Sequence, residues 1–269
     1  MNRIDKMFRG LKRKRKKAFI VYIAAGDPSL SATERLVRDL ERKGVDLVEL
    51  GIPFSDPLAD GPTIQRASER ALSKGVRARD ILRMVRRLRK SVSIPIVFMT
   101  YYNLVMQYGI KRFVSDSKKA GVDGIIVPDL PPEEAGELLT ESRKKDFSLI
   151  FLAAPTSTGK RLKTIAAKTG GFVYYVSLTG TTGARKKLPG DVTRNVAALK
   201  RRTAKPVCVG FGISNPEQAR SVARFADGII VGSAVIKVIE KNLGKKNFYG
   251  KVGGFVKRLE RSVHSGDPR

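Results

Sequence analysis

The feature that most constrains this chain is a beat of eight short apolar runs, at residues 18–24, 47–51, 94–99, 124–127, 148–152, 172–176, 207–210 and 228–231. They are rich in Val and Ile and show no strict alternation with polar residues. Continuous runs of this length suit strands buried on both faces, as in parallel sheets. Between them the pattern turns helical. Ser31 opens a Ser-Ala-Thr-Glu capping box before Leu36, Val37 and Leu40, and Gly44 follows as a helix stop. Pro132 with Glu133 and Glu134 reads as a proline-first helix start ahead of Leu138 and Leu139. Asn215-Pro216 reads the same way ahead of Ala219, Val222 and Ala223.

Eight strand–helix units within 269 residues predict a closed (β/α)8 barrel, the TIM-barrel architecture, as one domain over 1–269. A doubly wound sheet is the alternative, but it usually needs fewer strands. Residues 1–17 predict an additional basic amphipathic helix, with Ile4, Met7, Phe8 and Leu11 on one face, able to cap the barrel's N-terminal end. Residues 265–269 are expected to belong to a polar C-terminal tail, with His264 in it.

Composition narrows the chemistry. Cys208 is the single cysteine, so no internal disulfide and no cysteine metal cluster can form. With His264 the single histidine, histidine triads and histidine-rich metal sites drop out as well, and no metal site is expected. Acid–base work then falls on carboxylates, Lys, Tyr or water. No apolar run approaches a membrane span, and no apolar segment follows the basic N-terminus, so a cytoplasmic location is expected. The net charge of +28 has dense basic runs at 12–17 and 83–90. The second run carries Ile81, Leu82, Val85 and Leu88 at helical spacing, which reads as a helix with a solvated charged face. Nucleic-acid binding is the sharper alternative, but no aromatic residues interleave with the basic clusters. Nonspecific polyanion binding at low salt follows from charge alone.

In a (β/α)8 barrel the site lies at the C-terminal ends of the strands. The stretch 49–65, ELGIPFSDPLADGPTIQ, sits at such an end. Strand alternation turns Leu50 toward the helices and Glu49 into the barrel, where desolvation raises a carboxyl pKa toward the range useful for proton transfer. A structural Glu paired with a cation is equally compatible with the spacing. Pro53, Pro57 and Pro62 keep the following loop out of helix until about Thr63, and that loop carries Asp56 and Asp60. Asp60-Gly61 also fits a plain turn or helix cap.

Glycine-rich turns follow the last three strands: Gly180-Thr181-Thr182-Gly183, Gly210-Phe211-Gly212-Ile213-Ser214 and Gly232-Ser233-Ala234. Glycines let backbone N–H groups approach an anion, and a helix N-terminus adds its dipole. In these positions they predict a phosphate-bearing substrate. With no P-loop and no dinucleotide fingerprint, a small phosphate ester is expected.

On the 49–65 stretch, on Gly26-Asp27-Pro28 and on the turns at 210–214 and 232–234, the sequence resembles the tryptophan synthase alpha subunit family from Phe19 to about Val263. The resemblance implies retro-aldol cleavage of indole-3-glycerol phosphate to indole and glyceraldehyde 3-phosphate. It maps the acid–base residue onto Glu49 and the carboxylate that stabilises the developing charge on the indole nitrogen onto Asp60. Asp56 becomes a loop-ordering or interface residue. The active-site tyrosine maps onto Tyr174, with Tyr175 facing the helices, and Tyr101 joins the pocket. Tyr22, Thr100, Ile64 and Val127 are implied to line it, and Thr182 to close it near Asp60. Gly183, Gly212, Gly232 and Ser233 are implied to hold the phosphate. Arg185, Lys186 and Lys187 after the sixth strand read as solvated or as an attraction for an anionic substrate. The family needs no cofactor in this chain. Its partner is a beta subunit that carries pyridoxal phosphate in an alpha2beta2 complex, met by the loop after strand two and the region near Asn103 and Leu104. A stand-alone indole-releasing lyase, an isomerase or cyclising synthase on a related barrel, and a basic barrel that binds RNA are the alternatives. The +28 charge departs from the family's pattern.

Overall fold

The structure is a computed structural model that describes residues 1–176, 190–210 and 212–264. In chain order the first half runs α1 (Arg3–Arg13), β1 (Ala18–Ala24), α2 (Leu30–Arg42), β2 (Leu47–Gly51), α3 (Pro62–Leu72), α4 (Ala78–Leu88), β3 (Ile96–Met99), α5 (Tyr102–Tyr108), α6 (Ile110–Ala120) and β4 (Gly124–Ile126). The second half runs α7 (Gly136–Lys144), β5 (Ser148–Ile150), β6 (Leu152–Ala153), α8 (Gly159–Lys168), β7 (Val173–Val176), α9 (Gly190–Lys200), β8 (Val207–Gly210), α10 (Pro216–Ala223), β9 (Gly228–Val231), α11 (Ser233–Lys241) and α12 (Phe248–His264).

All strand pairs are parallel, in the order β5-β4-β3-β2-β1-β9-β8-β7-β6. The two edges of that order are consecutive in the chain. β5 and β6 are halves of one path interrupted at Phe151, so the sheet curls into a barrel of eight staves. Gly170 N–H donates to the Leu149 carbonyl (2.7 Å) and Tyr174 N–H to the Phe151 carbonyl (3.1 Å), which closes the wall. At the interruption, the Thr169 hydroxyl oxygen accepts from Phe151 N–H at 3.0 Å, so the break leaves no orphaned donor.

Four expected strands have their predicted bounds and the others shift by a residue or two, because buried Val/Ile runs mark a two-faced strand clearly. Helix starts differ more. The cap of α2 is Ser29, whose side chain accepts from Ala32 N–H, and not Ser31. The helix expected at Pro132 begins only at Gly136, since 131–134 form a turn, although Leu138 and Leu139 are buried as expected. Asn215 caps α10 as the sequence predicts.

Side chains sort by strand parity into two cores. Ala18, Ile20, Leu47, Val97, Ile126, Ile150, Phe172, Cys208 and Ile230 fill the barrel interior, while Val21, Leu50, Phe98 and Tyr175 pack outward under the helices. The interior is plugged at its N-terminal end by α1, which contributes Ile4, Phe8 and Leu11. Asn2 caps that helix, and its Nδ2 donates to the carbonyls of Asp123 (2.8 Å) and Asp146 (3.0 Å). The plug is shorter than the expected 1–17; it ends at Arg13 and a turn leads into β1. His264 lies in α12 and not in a tail, its side chain only 11% exposed. Among the described residues no helix is long and apolar enough to cross a membrane.

Candidate active site

The mouth of the barrel is built on β1 and β2. Their register sets Tyr22 beside Glu49. Glu49 is fully buried, and neither carboxylate oxygen has a hydrogen-bond partner among the described residues. Burial pushes its carboxyl up to about 8. The structural alternative of a Glu paired with a cation is therefore not what the fold contains. A buried orphan acid costs stability, which makes Glu49 a candidate for proton transfer.

The prolines do what their stereochemistry dictates. The loop after β2 stays irregular until Pro62 takes the first position of α3, with Gly61 as its extended cap. On this loop Asp60 is half-buried. Burial pushes its carboxyl up to about 6, against the pull of a hydrogen bond from Tyr101. The Tyr101 oxygen also accepts from Ala59 N–H (2.9 Å), and its ring stacks on Phe54 with centroids 5.2 Å apart. Tyr101 thus clasps the loop and holds Asp60 over the mouth. Its own hydroxyl is pushed up first by burial and then by Asp60.

Below the loop a cavity of about 160 Å³ is bounded by Tyr22, Ile64, Tyr174, Gly212, Gly232 and Ser233, all residues singled out from the sequence. Thr63, Met99, Ile213 and Ile230 complete it, together with Gly61 and Gly210. Sequence reasoning placed Gly61, Thr63, Gly210 and Ile213 on the flanking turns without assigning them to the pocket lining, and it singled out neither Met99 nor Ile230. Met99 and Ile230 could have been found by parity, since each sits at the inward position near the end of its strand. Tyr174 points inward against Cys208 and Phe172, and Tyr175 outward, where Asn195 Nδ2 donates to its hydroxyl at 3.2 Å. Two glycines exist to clear the phenols. A Cβ on Gly51 would lie 2.1 Å from the Tyr22 hydroxyl, and one on Gly210 would lie 2.6 Å from the Tyr174 hydroxyl. Both hydroxyls are held well above the usual tyrosine range, first by burial.

Across the cavity α11 starts at Ser233 with Gly232 as its cap. Val235 is the first to donate within the helix, to the Gly232 carbonyl at 2.9 Å. Among the described residues the N–H groups of Ser233 and Ala234 have no acceptor, on the positive end of the dipole. Behind the mouth, Arg70 on α3 forks onto buried Asp27 (2.8 and 2.9 Å) and reaches Glu240 on α11 (3.0 Å). Arg66 binds the same Glu240 at 2.8 Å. This network ties the loop after β1, the helix that follows the Asp60 loop and α11 into one frame.

Other sequence-predicted residues fall elsewhere. Thr100 is buried, with its hydroxyl lacking a partner among the described residues, and it does not border the cavity. Val127 lies in the hydrophobic core outside the cavity lining. Asp56 is exposed and accepts from the Ser55 hydroxyl at 2.6 Å. Thr182, Gly183, the turn at 180–183, Arg185, Lys186, Lys187 and Phe211 lie outside the described residues.

An orphan acid on a strand, a second acid on a clasped loop and an open helix N-terminus across a cavity define a class. It is the barrel enzyme that moves protons on a small phosphorylated substrate. Residues 8–264 match the family described as tryptophan synthase alpha chain. The chain is 48% identical over 266 residues to the tryptophan synthase alpha chain of Citrifermentans bemidjiense, covering 99% of both. It is 49% identical over 259 residues to that of Caldanaerobacter subterraneus subsp. tengcongensis, covering 96% of this chain and 98% of the relative. The solved tryptophan synthase alpha subunit of Legionella pneumophila superposes with a TM-score of 0.91 at 40% identity, covering 98% of each chain. The chain belongs to the tryptophan synthase alpha chain family, and its reaction is the lyase cleavage of indole-3-glycerol phosphate in tryptophan biosynthesis.

Proposed function

We propose that Glu49 is the proton shuttle of this cleavage and Asp60 its electrostatic partner. To leave as indole, the ring must gain a proton at C3, and the glycerol hydroxyl beside the breaking carbon–carbon bond must lose one as the aldehyde forms. A carboxyl with a pKa of about 8 is protonated at neutral pH. Glu49 therefore donates to C3 first and then takes the hydroxyl proton, returning to its starting state. Protonation at C3 places positive charge on the ring nitrogen. Asp60, ionised above pH of about 6, faces that charge from the loop. Tyr22, Ile64 and Tyr174 bound the space for the indole, with Thr100, Tyr101, Val127 and Thr182 as further binding residues. Gly183, Gly212, Gly232 and Ser233 hold the phosphate, supported by the open N–H groups of α11. The observation that carries this reading is the fully buried, unpartnered carboxylate of Glu49 at the mouth of the barrel.

The partner in this reading is a tryptophan synthase beta subunit, and the assembly is alpha2beta2. This chain works as one domain in the cytoplasm without a cofactor of its own, and pyridoxal phosphate belongs to the partner. Two apolar side chains support a docking face around the loop after β2 and α5: Leu58 is 94% exposed and Met106 56% exposed. The test is indole release from indole-3-glycerol phosphate with and without a cognate beta subunit, for wild type and Glu49→Gln. Activity that rises with the partner and collapses in the variant supports both parts. Fast release with no response to the partner identifies a stand-alone lyase.

A further inference from the structure

A second and larger hollow, of about 620 Å³, opens at the N-terminal end of the barrel, away from Glu49. It lies between α1 with its trailing turn and the segment that leads into β8. Arg9, Lys12, Arg15, Lys16 and Lys17 line it from the first side and Lys205 from the second. Two carboxylates also border it. Asp227 is already bonded to Lys200 Nζ at 2.6 Å and to Val207 N–H at 3.0 Å, which leaves Asp5 as the one acid not so engaged. The floor is apolar, formed by the edges of Phe8 and Leu11 with Pro206.

These six cations of the groove are left without carboxylate partners among the described residues. Elsewhere at the same end of the barrel, Arg3 and Arg89 are both spent on Asp123, at 2.9 and 2.8 Å. None of the six cations named above forms an ion pair with a described residue. Arg15 takes a left-handed backbone conformation (φ 53°), unfavourable for a bulky side chain, and Lys16 N–H is pinned to the Leu11 carbonyl at 2.9 Å. The turn is thereby fixed, and with it the closeness of like charges that repel. Concentrating positive charge on two facing walls over an apolar floor raises the local concentration of anions, and a multivalent anion relieves the repulsion.

We propose that this groove is a binding site for a compact polyphosphate anion of the nucleoside triphosphate class. The phosphates lie between the Lys12 and Lys205 walls, and the flat heterocycle covers the Phe8–Leu11–Pro206 floor. A polymeric nucleic acid fits less well, because the groove offers no exposed aromatic platform for successive bases.

The probes are ATP, sodium tripolyphosphate and poly(U), titrated calorimetrically at about 0.15 M salt, where exposed charges more than ~8 Å apart are largely screened. The variant is Lys12→Glu/Lys205→Glu, with Lys12→Gln/Lys205→Gln as the milder pair should charge reversal impair folding. The control is Lys111→Glu/Lys119→Glu, exposed positions on α6 that change the net charge equally. Thermal melting and indole release report that each variant is folded. The expected result is one-to-one binding of ATP, several-fold tighter than tripolyphosphate. Binding should weaken about tenfold or more in the groove variant, stay unchanged in the control, and leave the KM for indole-3-glycerol phosphate unaltered. Absence of saturable binding, an equal loss in the control, competition with substrate, or binding of poly(U) without ATP each overturns the proposal.

Discussion

The acids that staple the N-terminal end of the barrel and the two that face the pocket are treated in opposite ways. At the N-terminal end, Asp46, Asp123 and Asp227 each occupy the position just before a strand, and each repeats one device. The backbone N–H of the Asp donates to a residue at the start of the neighbouring strand, and the carboxylate accepts from the N–H of that same residue. The partners are Phe19, Ile96 and Val207, at 2.8 to 3.0 Å. A basic side chain from another element then completes the set: His264 for Asp46, Arg3 and Arg89 for Asp123, and Lys200 for Asp227. At the C-terminal end Asp27 is held by Arg70, but of the two acids at the pocket Glu49 has no partner among the described residues and Asp60 has a phenol. The same residue chemistry thus holds the fold in one set and stays uncommitted in the other. What differs is whether backbone donors and cations have been brought to it.

The largest effect expected at the mouth is on rate. Glu49→Gln removes the shuttle while keeping the shape, and kcat should fall by about 10³-fold, within the range of general acid–base catalysis. Stability should move the other way. A folded pKa of about 8 means that the native state keeps a proton which the unfolded chain loses near pH ~4.3. Stability therefore declines as pH rises between those values. Thermal melting should show the Gln variant gaining on wild type from pH 5 to pH 8. A variant that loses stability uniformly across that range would mean that Glu49 is a structural residue.

The mirror experiment is Asp123→Ala. It strands Arg89, whose side chain is 11% exposed, without its carboxylate, and it orphans Ile96 N–H. Breaking a buried pair from one side costs about 3–5 kcal/mol. Urea unfolding should show that loss, with the KM of the remaining folded enzyme unchanged. A smaller loss would show that the N-terminal staples are redundant.

How much of this was legible in the sequence divides along the same line. Strand positions were, because a buried parallel strand writes itself as an unbroken apolar run. The inward aim of Glu49 was, because parity along one strand is local. Helix starts were less so. Ser29 and Ser31 are both good caps, and only the path of the chain, with Thr33 Oγ1 donating to the Ser29 carbonyl, decides between them. The clasp of Tyr101 on the Asp60 loop, the clearance that Gly51 gives Tyr22 and the Asp staples all join residues from different strands. Their signal lies in register, which a single strand does not carry. The place of His264 was hidden for the same reason: two of its three partners lie 218 and 247 residues away.

Asp60 tests the middle of the scale. Its carboxyl, pushed up to about 6, should give kcat/KM an acid limb, since protonation removes the charge that faces the ring nitrogen. Glu49 should give an alkaline limb near 8, where the donor proton is lost. Asp60→Asn should lower kcat/KM by about 10–100-fold and abolish the acid limb while leaving the alkaline one. If the acid limb survives, it belongs to the substrate phosphate, and Asp60 acts only through loop position.

The smallest effect belongs to the clamp that closes the N-terminal end. His264 Nδ1 meets Glu260 at 3.0 Å, and Nε2 meets Asp46 and the Lys17 carbonyl, each at 3.1 Å. Burial pulls its pKa down, but the hydrogen bonds and charges of Asp46 and Glu260 outweigh it, and the net direction is up. A raised histidine stabilises fully below its unfolded value of about 6.5, and that contribution disappears as pH rises through the folded pKa. His264→Gln should therefore cost about 1 kcal/mol at pH 5.5 and progressively less at alkaline pH, measured by urea unfolding. The slope is opposite in sign to that of an acid held low by a cation. A loss that grew with pH would assign the clamp to the carboxylates alone, and the imidazole would then be a neutral spacer between them.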